Sequence, residues 1–278
     1  MKLNISLIIC SLTLSFLISS CKKGDEINPV NPLEGLLKLK EGYVIGASAK
    51  IEVWGEKNFF TGFNNLTVVL YDSLNLKEKI TDAHIEFEPV MTMVSGAMVM
   101  KHSTPVENPD QVSVNDVFPG AIAFVMPTAM GGSWKLSVHV HNHKIDKEGE
   151  AEFEIIVDNP ATPVLSVFTS QSPDSSKLVL SLVKPTAPKV GMNDIEFTLH
   201  RKLSMMEWPA DNTYSIEIIP EMPSMGHGSP NNINPVNTGN GHYKGKVNFT
   251  MTGEWRINIA VKKGDAVISK NASFNITL

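Results

Sequence analysis

Cysteine is almost missing from this chain: there are two in 278 residues, Cys10 and Cys21, and none follows. A disulfide scaffold, a thiolate zinc site and C-x-x-C redox chemistry are therefore excluded from everything beyond residue 21. Charge is sparse, at 19% of residues, and leans acidic with a formal net charge of −5. With no basic run, the chain lacks the electrostatic footprint of a nucleic-acid binder. After the first sixteen residues no apolar run approaches the ~20 residues that a membrane-spanning helix needs. No segment keeps a helical apolar period over three turns. G-x-S-x-G, H-E-x-x-H and Gly-rich phosphate loops are absent as well, so the expectation is a binding protein and not an enzyme.

The N-terminus is the first feature present in strength. Lys2 supplies a positive start, and Leu3 to Phe16 is apolar and uncharged. Leu17-Ile-Ser-Ser-Cys21 then resembles a bacterial lipobox. Residues 1–20 are thus expected to be a lipoprotein signal peptide, with Cys21 acylated as the new N-terminus. A polar tether is expected over residues 21–41; Asp25 and Glu26 within it resemble the acidic export signals of Bacteroidetes surface lipoproteins. The implied location is extracytoplasmic, at the outer membrane, held to the membrane by the N-terminal lipid.

The remainder reads as strands. Tyr43–Trp54, Leu66–Leu70, His84–Phe87, Phe118–Met126, Trp134–Val140 and Glu152–Val157 are short, rich in β-branched and aromatic residues, and bounded by turn residues. Lys177–Val183, Ile195–Leu199, Tyr214–Ile219, Tyr243–Met251, Trp255–Val261 and Ala272–Leu278 repeat the style. Asp158-Asn-Pro-Ala-Thr-Pro163 can continue neither a helix nor a central strand. The expected fold is all-β: two tandem immunoglobulin-like antiparallel β-sandwich modules, 42–158 and 164–278, joined by a linker at 159–163 and arranged end to end.

Subtraction exposes an internal repeat. Met100, His102, Pro105, Gly120, Phe124 and Met126 recur as Met225, His227, Pro230, Gly245, Phe249 and Met251, each 125 positions later. Gly62-Phe-Asn64 matches Gly191-Met-Asn193, Ile85–Pro89 matches Ile216–Pro220, and Trp134 matches Trp255, at offsets that drift with loop insertions. The pattern is that of a duplication.

The second copy runs Gly191-x-Asn193, a strand, Glu221-Met-Pro-Ser-Met-Gly-His-Gly-Ser-Pro230, His242-Tyr-Lys-Gly245 and Phe249-x-Met251-x-Gly253-x-Trp255. This order resembles the YtkA-like domain, a small β-sandwich of exported bacterial proteins, over about residues 185–265. The first copy, roughly 58–145, fits more loosely, with Pro89-Val-Met-Thr-Met93 and Met98-Val-Met-Lys-His102 in place of the compact loop. Members of the family often occur beside copper-export and heavy-metal genes, so the resemblance implies metal traffic, with a metal-export component or another protein as partner.

The residues carry their own chemistry. Met91, Met93, Met98, Met100, Met222 and Met225 fall in two equivalent short loops, each ending in a histidine, His102 or His227. Thioether sulfur suits Cu(I), and imidazole binds copper in either state. The candidate copper ligands are Met222, Met225 and His227 with Met251 or His242 in the second module. In the first they are Met98, Met100, His102 and Met126, and the longer loop there is expected to bind more weakly. A second reading stands beside it: methionine fills irregular gaps, so the same loops can be lids on the core. His139, His141 and His143 share one strand face at ~7 Å spacing, as a metal-chelating row or as a solvated face. Two functions follow: a lipoprotein that binds or handles copper or another soft metal, or a structural, protein-interaction sandwich without metal.

Overall fold

The computed structural model describes residues 31–128, 131–171 and 175–278. The signal segment, Cys21 and the first part of the expected tether, residues 21–30, lie outside the described residues. Within them the regular structure is strand, with no α-helix. The first half forms β1 (Leu37–Val44), β2 (Ala49–Gly55), β3 (Gly62–Asp72), β4 (Lys79–Ile80), β5 (Ala83–Ser95), β6 (Met98–His102), β7 (Val106–Glu107), β8 (Phe118–Phe124), β9 (Gly132–Asn142) and β10 (Lys147–Ile155). The second forms β11 (Leu165–Thr169), β12 (Lys177–Lys184), β13 (Gly191–Arg201), β14 (Ser215–Met222), β15 (His227–Gly228), β16 (Ile233–Gly239), β17 (His242–Phe249), β18 (Glu254–Lys263) and β19 (Ala266–Thr277).

Each half is a sandwich of two antiparallel sheets with the same strand order. In the first module β1-β2-β3-β8-β7 faces β10-β9-β5-β6; in the second β11-β12-β13-β17-β16 faces β15-β14-β18-β19. The period of two explains the layers. Along β5, Ala83, Ile85, Phe87 and Met91 point into the core while His84, Glu86 and Glu88 face out. Trp134, Phe118, Phe124 and Ile85 anchor one core; Trp255, Tyr243, Phe249 and Phe197 anchor the other. At the start of β3, Asn64 Oδ1 accepts from Phe60 N–H (3.0 Å), and its amide donates to the Phe60 (2.9 Å) and Gly62 (2.7 Å) carbonyls. Asn193 makes the same three bonds with Lys189 (3.0 and 2.7 Å) and Gly191 (2.9 Å) at the start of β13. Both glycines hold a positive φ, +131° and +98°, which is why G-x-N recurs.

The structure departs from the sequence expectations in four places. Tyr43–Trp54 is not one strand: Gly46, at φ +102°, turns the chain between β1 and β2. The sheet begins at Leu37, inside the stretch read as tether. Met98–His102, read as a loop, is strand β6, paired with β5 so that Met91 lies opposite His102 and Met93 opposite Met100. Methionine has no marked strand signature, so pairing and not propensity sets this hairpin.

The fourth departure is the module arrangement. The expected end-to-end contact gives way to side-on packing. Phe63, Ala121 and Ala123, on the outer face of the first module's β3 and β8, are buried with Val183 of β12 against them. Small alanines on an outward face let the second module come close. A backbone bond from Ser103 N–H to the Met205 carbonyl (2.9 Å) also joins the two.

Candidate functional site

The two Met/His segments fold into matching corners. In the first, His102 sits edge-on to Trp134 with ring centroids 5.8 Å apart and planes at 82°; in the second, His227 and Trp255 give the same two values. Trp134 Nε1–H donates to the Met126 carbonyl (3.0 Å), and Trp255 Nε1–H to the Met251 carbonyl (3.1 Å). Met91 and Met222, each opposite its histidine in the strand register, are both core residues. Part of the repeated pattern is therefore structural: a tryptophan tied to a backbone carbonyl, with histidine on its face and methionine beneath.

The corners then diverge. In the first, Met93, Met100, Met126 and His102 line a cavity of about 200 Å³. The segment between β13 and β14 closes it, contributing Met205, Trp208 and Lys202 from the second module. His102 is 4% exposed, and its Nε2 is buried with no hydrogen-bond partner. Burial pushes the imidazole below its ordinary value; the bond to Ser103 opposes this, and the Lys202 charge adds to it. A neutral ring with a free nitrogen beside thioethers is a soft donor set. Met98 is not part of it: at the far end of the hairpin it is 65% exposed. Met205 was not anticipated, because its partners lie about a hundred positions away in sequence and no local pattern links them.

In the second corner, Met222 lies under Gly253 in the core and His227 is half-buried, whereas Met225 caps a turn and is 61% exposed. His242 does not join this group. It opens β17, and Met251 lies beyond the other end of that strand, which itself spans roughly 23 Å at ~3.3 Å per residue. Its ring is instead clamped between the modules: Nδ1 meets Glu196 Oε1 at 2.8 Å, and Nε2 meets Glu107 Oε1 at 2.9 Å. Glu107 and then Glu196 raise its pKa against the opposing effect of burial. Behind it, burial holds His200 down to about 4.

The exposed histidine row is paired with acids. His139 meets Glu88 (3.2 Å), His141 meets Asp146 (2.9 Å) and His143 meets Asp82 (2.6 Å). Among the described residues no three His, Cys, Asp or Glu side chains converge as metal ligands.

Comparison with known proteins falls on the second module: residues 174–260 match the YtkA-like family model, the stretch on which the sequence resemblance rests. No curated protein matches the chain. Among solved structures, the chain aligns with FdeC, an Escherichia coli adhesin, at 13% identity and a TM-score of 0.25, covering 85% of this chain and 65% of that one. It also aligns with InvD of Yersinia pseudotuberculosis at 18% identity and a TM-score of 0.26, covering 80% and 54%. The chain spans less than two thirds of either structure's length.

Proposed function

We propose that this chain is a lipid-anchored, extracytoplasmic binding protein that holds Cu(I) in the cavity shared by its two modules. One observation carries the reading: His102, whose buried Nε2 has no hydrogen-bond partner, lines one cavity together with Met93, Met100, Met126 and Met205. A buried polar nitrogen without a partner costs about 1–3 kcal/mol, and a ligand that it can bind would offset that cost. Thioether and imidazole together suit Cu(I), and a thiol-free set resists oxidation outside the cytoplasm. The first-module cavity is favoured over the second-module turn, where Met225 stands out in solvent. The bound ion would be cargo or buffer, consistent with a binder and not an enzyme. Met222, His227 and Met251 then serve mainly as the structural counterpart of the corner.

The test is anaerobic competition against a chromophoric Cu(I) chelator. The protein should take up one Cu(I) per chain, and Met100→Leu combined with His102→Leu should abolish uptake. Leucine keeps the methionine's volume, so a pure core-lid role tolerates Met100→Leu at under ~1.5 kcal/mol. Absence of uptake by the unmodified protein would leave the protein-interaction reading. That reading draws on Val94, Met98 and Val99, which expose an apolar strip on the β5–β6 hairpin.

A further inference from the structure

The cavity that the copper reading rests on already holds a monovalent cation of the protein's own. Lys202 Nζ donates to Met205 Sδ at 3.0 Å and lies 5.2 Å from the centroid of the Trp208 ring. Its backbone N–H is fixed to the Lys177 carbonyl (2.8 Å) at the start of β12. The segment behind it is braced. Leu203 N–H bonds the Glu207 carbonyl (3.0 Å), Arg201 N–H bonds the Pro209 carbonyl (3.0 Å), and Arg201 Nε–H donates to the buried Asp211 carboxylate (2.8 Å). The ammonium is thus presented to the thioether by an ordered backbone. It occupies a sulfur that a soft metal would need, and its charge also acts on the His102 ring.

We propose that Lys202 is an internal competitor for the metal: its ammonium stands in for Cu(I) at Met205, swings out as the ion enters, and returns to Met205 as it leaves. The exchange is neutral, one single positive charge replacing another, and no bond order or oxidation state changes. Trp208 holds the ammonium while it sits on Met205, since an ammonium is attracted to an aromatic ring over distances up to ~6 Å. The consequence is a site built for passing metal on, because the returning ammonium speeds release. The proposal rests on the copper reading and adds to it a named residue that sets affinity and exchange rate.

The experiment compares the unmodified full chain with Lys202→Met, Lys202→Gln and Lys202→Arg by Cu(I) competition and by stopped-flow transfer to chelator. Like charges a few ångströms apart repel appreciably at the permittivity of a half-buried site. Lys202→Met and Lys202→Gln should therefore bind at least about tenfold more tightly and release proportionately more slowly. Lys202→Arg, which keeps the charge, should stay within about twofold of the unmodified chain. Without metal, the ¹³C-methyl resonance of Met205 should shift in Lys202→Met, reporting loss of the N–H···S contact. Equal affinities across all four proteins would overturn the competitor while leaving the copper site standing, as would equal tightening in Lys202→Arg. No Cu(I) uptake by any of them would overturn both.

Discussion

Replacing His242 by glutamine should weaken the module junction in acid and matter little in alkali. His242 bonds Glu107 across that junction and Glu196 within its own module, a chain of two charge-assisted hydrogen bonds with side-chain exposures of 18% for His242, 28% for Glu107 and 6% for Glu196. Hydrogen bonds to charged groups are worth about 1.5–3 kcal/mol each. Glutamine restores one neutral bond at most, so the expected cost is about 2–3 kcal/mol where the imidazole is charged. The group is raised above its ordinary value of 6.5 in the folded protein. Its contribution is therefore complete below the unfolded value and is lost as pH rises through the folded one. A neutral imidazole has a single N–H, which leaves a lone pair facing a carboxylate. The surrounding charges do not reverse this. Lys184 and Lys244 both pair with Glu196 at 3.3 Å and keep it ionised across the window. His200, depressed to about 4, titrates below it. Urea unfolding of both proteins at pH 5.5 and pH 9 measures the effect. A difference independent of pH, or larger at pH 9, refutes the clamp.

Three further outcomes are expected. His102→Leu deletes a buried nitrogen that has no partner together with the bond to Ser103, so the two effects offset and metal-free stability by urea titration should stay within about 1 kcal/mol, where loss of a fully satisfied buried histidine would lower it further. Asn64→Ala and Asn193→Ala each remove three matched hydrogen bonds from a buried amide, and Asn64→Ala also a longer one to the Ile122 carbonyl (3.2 Å). Calorimetry should show similar losses of about 2–3 kcal/mol, and strongly unequal losses would undo the equivalence of the two corners. Cys21→Ser should shift the protein out of the membrane fraction or leave it unprocessed, as fractionation and the mature N-terminus will report; normal processing and retention would rule out the lipid anchor.

The strand alternation and the repeat are local or self-similar, and both were legible. Phe118, Ile122 and Phe124 face the core as their parity requires, and G-x-N recurs because a positive-φ glycine and an amide clasp are needed in each module. The Met/His segments were visible too, but their roles were not. Met126 and Met251 carry a carbonyl for a tryptophan, and Met98 stands in solvent, although all three read as candidate ligands in the sequence. The sequence by itself determined the all-β class and the pairing of equivalent residues such as Asn64 with Asn193 and Trp134 with Trp255, because period and spacing follow from backbone geometry. Only the tertiary structure decided that the modules pack side-on through Ala121, Ala123 and Phe63, that His242 fastens them instead of joining a methionine site, and that Met205 and Lys202 reach the cavity of His102. Those contacts join residues from about 60 to 135 positions apart through the shapes of two folded surfaces, and no local pattern encodes a shape.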